Sequence, residues 1–166
     1  RKIEEGKIEL DYQEFNIHDI IRNCINEQEA VIQLQHLNIK CHFDENVTLV
    51  NCDDYRIGQV VNNILSNAIK YSPDGGNITF TSELSKNRLN KDIVKISIAD
   101  QGPGVAVEEH DSIFNKFVQV KKSVTNSGST GLGLAITREI IQAHKGEVWL
   151  SNNDDGGATF YFTLPL

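Results

Sequence analysis

Asn63, Asn67 and Lys70 are spaced one helical turn apart, which sets two amide oxygens and one ammonium in a row if the stretch around them is helical. An amide carbonyl is a hard oxygen ligand of the kind Mg²⁺ accepts, and that ion keeps several waters and takes few protein ligands. An ammonium beside it can neutralise phosphate charge. The apolar residues Ile57, Val60, Val61, Ile64, Leu65 and Ala68 fall on another side of the same helix, roughly 140° away at about 100° per residue. The row, with Tyr71 next to it, is therefore not needed for a core. A solvated helix face that tolerates two asparagines is the alternative, and this segment alone does not separate the two readings.

A second cluster is Asp100-Gln101-Gly102-Pro103-Gly104, directly after the alternating apolar run Ile93–Ala99. A carboxylate at the tip of a strand is held by its sheet. Being an acceptor only when ionised, it suits the exocyclic amine of adenine and rejects the carbonyl that guanine presents there. Gly102 and Gly104 let a flat ring approach the backbone. A tight Asp/Gly/Pro turn with no ligand is the competing reading. A third cluster, Gly128-Ser129-Thr130-Gly131-Leu132-Gly133-Leu134, leads into a helical pattern. Backbone N–H groups at a helix N-terminus bind phosphate, and a glycine-rich turn adds more of them. No GK[ST] follows, and Ile136 stands where a dinucleotide fingerprint needs its last glycine, so neither of those motifs is present.

Several elements must hold these clusters. Asn16 is placed as an N-cap, with Phe15 and Ile20 spaced as a hydrophobic staple, and Ile17 through Ile32 recur at helical spacing. Strands are expected at Ile39–Phe43 and Thr48–Asn51, then a helix from Asp53 to Tyr71 ended by Ser72-Pro73-Asp74-Gly75-Gly76. Strands Asn77–Glu83 and Ile93–Asp100 follow. The stretch Gln101–Thr130 is mostly irregular, apart from a short helical piece at Asp111–Phe117, and a loop of that length in a compact domain tends to be functional. A helix Leu132–His144 with Gly146 past its end, and strands Glu147–Ser151 and Thr159–Leu164, complete the chain. This order predicts an α/β (α+β) two-layer sandwich, with a mixed, mostly antiparallel sheet of about five strands covered on one face by three helices.

The chain has 166 residues, enough for one domain, and a formal net charge of -7 without Lys/Arg clusters. It is a poor candidate for nucleic-acid or anionic-membrane binding. Its three cysteines form no CxxC, so free thiols in a reducing compartment are expected. No apolar run reaches the roughly 20 residues of a membrane span. From the abrupt start at Arg1 a fragment is expected, a cytoplasmic domain whose parent could be an inner-membrane sensor.

In this order the clusters resemble the histidine-kinase branch of the Bergerat-fold ATPases, over nearly the whole length from Phe15 to Leu166. Asn63-Ile64-Leu65-Ser66-Asn67-Ala68-Ile69-Lys70-Tyr71 resembles the family's N box, Asp100–Gly104 its first glycine box, Ile113-Phe114-Asn115-Lys116-Phe117 its F box, and Gly131–Leu134 its second glycine box. Gly157-Ala158-Thr159-Phe160 through Leu164-Pro165-Leu166 resembles its terminal strand. The resemblance implies ATP and Mg²⁺ as ligands. Asn67 is implied to ligate the metal, and Asn63 and Lys70 to serve phosphoryl transfer at the phosphates, with Tyr71 beside the nucleotide. It places Asp100 on adenine N6, with Gly102 and Gly104 close to the base and Thr159 assisting through water. Thr130, Gly131, Leu132, Gly133 and Leu134 are implied at the phosphates, residues 103–130 as an ATP lid, and Phe114 and Phe117 as its anchors. Three residues depart from the pattern: Gln101 where asparagine is common, Gln119 where some members carry an arginine, and Ser129 where glycine is frequent.

Related hydrolytic clamps place a glutamate where Asn63 stands, and that carboxylate activates water. An amide cannot take that proton, so the resemblance implies transfer to an outside nucleophile rather than efficient hydrolysis. The expected acceptor is a histidine on a dimerisation hairpin upstream. Residues 1–14 are implied to be the connector from that hairpin and residues 15–166 the catalytic domain. None of His18, His36, His42, His110 and His144 has the context of an acceptor. Expected partners are that hairpin and a response regulator receiver domain, with a monomeric fragment and a homodimeric parent. An ATP-driven clamp and an interaction module without nucleotide are the alternatives.

Overall fold

A computed structural model describes residues 3–4, 7–47, 49–115 and 133–166. The chain opens with a small antiparallel hairpin, β1 (Ile3–Glu4) and β2 (Lys7–Ile8). Strand β3 (Gln13–Asn16) leads into α1 (Ile17–Glu27), whose cap is Asn16: its side-chain oxygen accepts from His18 N at 2.9 Å, as the sequence predicts. The helical pattern that runs on to Ile32 is broken at Gln28, where φ is -107° and ψ 15°, and a separate helix α2 (Glu29–Leu34) follows.

Next come β4 (Asn38–His42), β5 (Leu49–Cys52) and the long helix α3 (Asp54–Tyr71). Asp53 caps α3 by accepting from Arg56 N at 3.2 Å. The helix stops at Ser72, just before Pro73, which cannot continue it. After β6 (Asn77–Lys86) and β7 (Asp92–Ala99), two short 3₁₀ turns at Val107–Glu109 and Ser112–Phe114 precede α4 (Gly133–Ala143) and the closing strands β8 (Val148–Asn152) and β9 (Ala158–Pro165).

The main sheet has the order β4-β6-β7-β9-β8, with β4 and β6 parallel and the other pairs antiparallel. The expected mixed, mostly antiparallel five-stranded sheet is thus observed. Strand β5 does not join it. It pairs antiparallel with β3, Gln13 opposite Cys52 and Asn16 opposite Leu49, so the lead-in contributes a ladder of its own.

One row across the sheet is Phe80, Ile98, Phe160 and Leu150, all buried, and a second runs through Ile96 and Phe162. Against these rows pack Ile57, Val60, Val61, Ile64 and Leu65 of α3 and Ile140 and Ile141 of α4. Residues alternate across a strand, so Thr81, Ser97, Tyr161 and Trp149 share the opposite face. There Trp149 stacks on Tyr161 with centroids 5.1 Å apart.

Helix α4 ends in a Schellman arrangement: Gly146 N bonds Ile141 O and Lys145 N bonds Gln142 O, both at 2.9 Å. The left-handed residue is Lys145, at φ 65°, not the glycine that the sequence marks. Gly146 is needed for another reason, since a Cβ there would lie 1.9 Å from the Thr163 carbonyl oxygen. The cysteines are free, Cys24 and Cys52 buried and Cys41 exposed. Burial pushes the Cys24 and Cys52 thiols up to about 12. Among the described residues no helix is long and apolar enough to cross a membrane.

Candidate functional site

Helix α3 presents the polar row as the spacing predicts. Asn63, Asn67, Lys70 and Tyr71 are half-buried, whereas Ile57, Val60, Val61, Ile64, Leu65 and Ala68 are buried in the core. Asn63 Nδ2 donates to Gly133 O at 3.1 Å and lies 3.4 Å from Thr137 Oγ1. The first turn of α4 is thereby tied to the middle of α3. Gly133 and Leu134 open α4, where backbone N–H groups lack intrahelical partners. Leu134 itself points into the core. Among the described residues the Asn67 side chain has no hydrogen-bond partner and the Lys70 ammonium no carboxylate partner; the ammonium sits 5.4 Å from the Tyr71 ring centroid.

Tyr71 joins this row to the strand-end cluster through its backbone. A Cβ on Gly102 would come within 2.6 Å of the Tyr71 carbonyl oxygen, so only glycine allows the turn to abut the end of α3. Between Asn63 and Tyr71 the helix rises about 12 Å, which separates the two ends of the candidate site.

Asp100 is 8% exposed and divides the labour of its two oxygens. Oδ1 accepts from Gly102 N at 2.9 Å and from Ala158 N at 3.2 Å. Oδ2 has no partner among the described residues. Burial raises the Asp100 pKa above the ordinary carboxylate value, partly opposed by the two backbone N–H groups. The result is an oriented carboxylate with one oxygen held and the other open to a donor. Gln101, the departure from the family's asparagine, is turned elsewhere: its Oε1 accepts from Asn77 N at 2.7 Å and pins the start of β6.

Thr159 pairs with Ala99 and Ser151, one residue out of phase with the core-facing Phe160. Its hydroxyl donates to Asn153 Oδ1 at 2.5 Å. The backbone N–H that reaches Asp100 Oδ1 is that of its neighbour Ala158. Phe114 is 3% exposed and meets Phe160 edge-on at 6.2 Å, and Arg138 joins it through Asn115 Oδ1 at 2.7 Å. Phe117, Gln119, Ser129, Thr130, Gly131, Leu132 and the greater part of the 103–130 segment lie outside the described residues.

His18 is not an exposed acceptor. It is 7% exposed, stacks on Phe43 at 4.2 Å and bonds Ser82 Oγ at 2.8 Å. His144 is buried between Asp53 N, which donates to its Nε2 at 3.1 Å, and Ile140 O, 2.9 Å from its Nδ1.

The sequence places a turn at Asn152–Gly157, between the two closing strands, but gives no sign of the contacts it makes. Asn152 accepts from Val105 N at 2.9 Å through Oδ1 and donates to Val105 O at 2.7 Å through Nδ2. Asn153 Nδ2 donates to Asp100 O at 3.1 Å. Gly157, at φ 92°, lies so close that a Cβ would sit 2.1 Å from Asp100 O. The one available signal was an Asn-Asn pair separated by Asp154-Asp155 from Gly156-Gly157, which reads locally as nothing more than a turn.

Residues 52–166 match the family described as Histidine kinase-, DNA gyrase B-, and HSP90-like ATPase. The chain is 38% identical over 132 residues to the sensor histidine kinase WalK of Bacillus subtilis (strain 168), which covers 79% of this chain and 21% of WalK. Its fold is similar to the nucleotide-free catalytic domain of histidine kinase ThkA, with a TM-score of 0.81, 29% identity, and coverage of 94% and 96% of the two chains. ThkA also gives a TM-score of 0.78, at 30% identity over 94% of this chain and 42% of that one, in its complex with the response regulator protein TrrA. Full-length ShkA in complex with AMPPNP gives 0.79, at 28% identity over 95% of this chain and 32% of ShkA. The chain therefore spans about a fifth of WalK and a third of ShkA. With its N box, first glycine box and sheet in this arrangement, the chain belongs to the histidine kinase-, DNA gyrase B- and HSP90-like ATPase family, in its histidine-kinase branch.

Proposed function

We propose that this domain binds Mg-ATP and donates its γ-phosphoryl group to a histidine on a separate dimerisation hairpin, as one step of two-component signalling. The observation that carries this reading is the divided Asp100 carboxylate, with Oδ1 fixed by two backbone N–H groups and Oδ2 open. An adenine amine can donate to that oxygen, and a 6-oxo purine cannot. The nucleotide complex of ShkA and the response-regulator complex of ThkA support the ligand class and the pathway.

The phosphates would run along α3 towards the start of α4, with Lys70 offsetting their charge and the N–H groups at Gly133 and Leu134 donating to oxygens. Asn67, whose amide oxygen has no partner among the described residues, fits a magnesium ligand, and the ion when bound would neutralise charge on the β- and γ-phosphates. Asn63 would steady α4 through Gly133 and leave its own oxygen towards the phosphates. It offers no carboxylate to draw a proton from water, so the incoming nucleophile is an imidazole nitrogen. A P–N bond forms as the bond between the γ-phosphorus and ADP breaks. Residues 1–14 are read as the connector to the hairpin, and the parent as a homodimer whose receiver-domain partner accepts the phosphoryl group next.

The test is to mix this chain with γ-labelled ATP, Mg²⁺ and a hairpin from a histidine kinase, and to follow acid-labile label on the hairpin. Transfer that is lost in Asp100→Ala supports the reading. ATP hydrolysis in isolation with no transfer to any hairpin would replace it with the clamp.

A further inference from the structure

We infer that Asn152 and Asn153, at the β8–β9 turn, are positioning residues that set base selectivity by holding the backbone on which Asp100 stands. The inference rests on the adenine role of Asp100 proposed above and extends it to side chains that touch neither base nor phosphate.

Residues 100–105 leave the sheet after Ala99 and belong to no helix or strand. Buried backbone groups need partners, and in this segment side-chain amides supply them. Asn152 mimics a neighbouring peptide: it accepts from Val105 N and donates to Val105 O. Val105 is 7% exposed, so water gives little alternative. Asn153 donates to Asp100 O and accepts from Thr159 Oγ1, which joins the aspartate backbone to β9. Its own N–H bonds Gly157 O at 2.9 Å, closing the turn that presents both amides. Gly104, at φ 80°, completes the fit, since a Cβ there would be 3.0 Å from Asn152 Oδ1.

The aspartate is thus held at four points, two on Oδ1, one through its own N–H on Ala158 O at 2.9 Å and one on its carbonyl oxygen. Only the last depends on a side chain. Removing it leaves the carboxylate chemically intact and alters where Oδ2 points. The consequence is specific: the amine-dependent part of nucleotide affinity falls, whereas affinity for phosphates and ribose does not.

The measurement is the ratio of affinities for ATP and for purine riboside triphosphate, which lacks only the exocyclic amine, by calorimetry on the full chain with Mg²⁺. Asn153→Ala should shrink that ratio roughly tenfold, the size of one hydrogen bond to a charged acceptor, with purine riboside triphosphate affinity unchanged. Asn152→Ala, one step further from Asp100, should shrink it less. A loss of folded protein would lower both affinities equally and leave the ratio fixed, so the ratio separates positioning from stability. If Asn153→Ala does not fold, Asn153→Ser and Asn152→Ala carry the test. Folded variants that keep the unchanged chain's ratio would overturn the inference and leave the role of Asp100 standing. An unchanged chain that binds the two nucleotides equally would overturn both.

Discussion

Around Asp100 the polar groups are spent on the protein itself, with Oδ1 on two backbone N–H groups, the carbonyl on Asn153, and Val105 on both ends of the Asn152 amide. Around Asn67 and Lys70 they are not: among the described residues the amide has no hydrogen bond and the ammonium no carboxylate. The proposed base end has its geometry before any ligand arrives, which would lower the ordering cost of selecting one base. The proposed phosphate end would be completed by what it binds, as suits a metal that brings its own waters. Mutations should therefore act as on a frame at one end and as on a contact at the other.

The harshest way to break the frame is Gly157→Ala. It places a Cβ 2.1 Å from Asp100 O at a positive φ, and the expected cost is about 3 kcal/mol of stability, read as a lower midpoint in urea. Asp100→Ala should leave the domain folded and reduce ATP affinity roughly 100-fold by removing a charged acceptor. Micromolar binding retained in calorimetry would contradict the adenine role. At the other end, Asn67→Ala should cost roughly tenfold and abolish the Mg²⁺ dependence of nucleotide affinity, with stability unchanged. An unaltered Mg²⁺ titration would remove Asn67 from the metal.

Acidity sharpens the comparison further. The folded Asp100 holds its proton at a higher pH than an ordinary carboxylate. The acceptor for adenine should therefore be lost, as pH falls, before free carboxylates titrate. The same shift makes the unliganded fold lose a little stability as pH rises from the ordinary carboxylate value through the raised one. His144 acts in the opposite direction. Burial lowers its pKa from 6.5, so its contribution is complete above 6.5 and is lost as pH falls towards the depressed value. In His144→Gln, unfolding midpoints should fall less steeply between pH 7 and 5 than in the unchanged chain. Equal slopes would rule that out.

Much of this was legible in local pattern. The Asn16 cap, the two faces of α3 and the glycine at 102 follow from spacing and residue type, because each is decided within a few residues. The register of β9 was harder. Ala158, whose N–H reaches Asp100, and Thr159, whose hydroxyl bonds Asn153, differ by one position, and in a strand one position reverses the face. The Asn152 and Asn153 contacts join residues about fifty positions apart, and no periodicity encodes them. Pairing of β3 with β5 was hidden in the same way, since neither four-residue strand announces its partner.

The cap of α3 has a further consequence. Asp53 gives one oxygen to Arg56 N and the other to Asp11 N at 2.9 Å, while Tyr12 meets the His144 ring edge-on at 5.6 Å. The entering strand is thereby fastened where α3 begins and α4 finishes. A protein truncated to start at Ile17 would keep every nucleotide-site residue and still lose half of a helix cap and one side of a ladder. Torque arriving along the polypeptide from upstream would be delivered to those same two helix ends, the ones furthest from the phosphates.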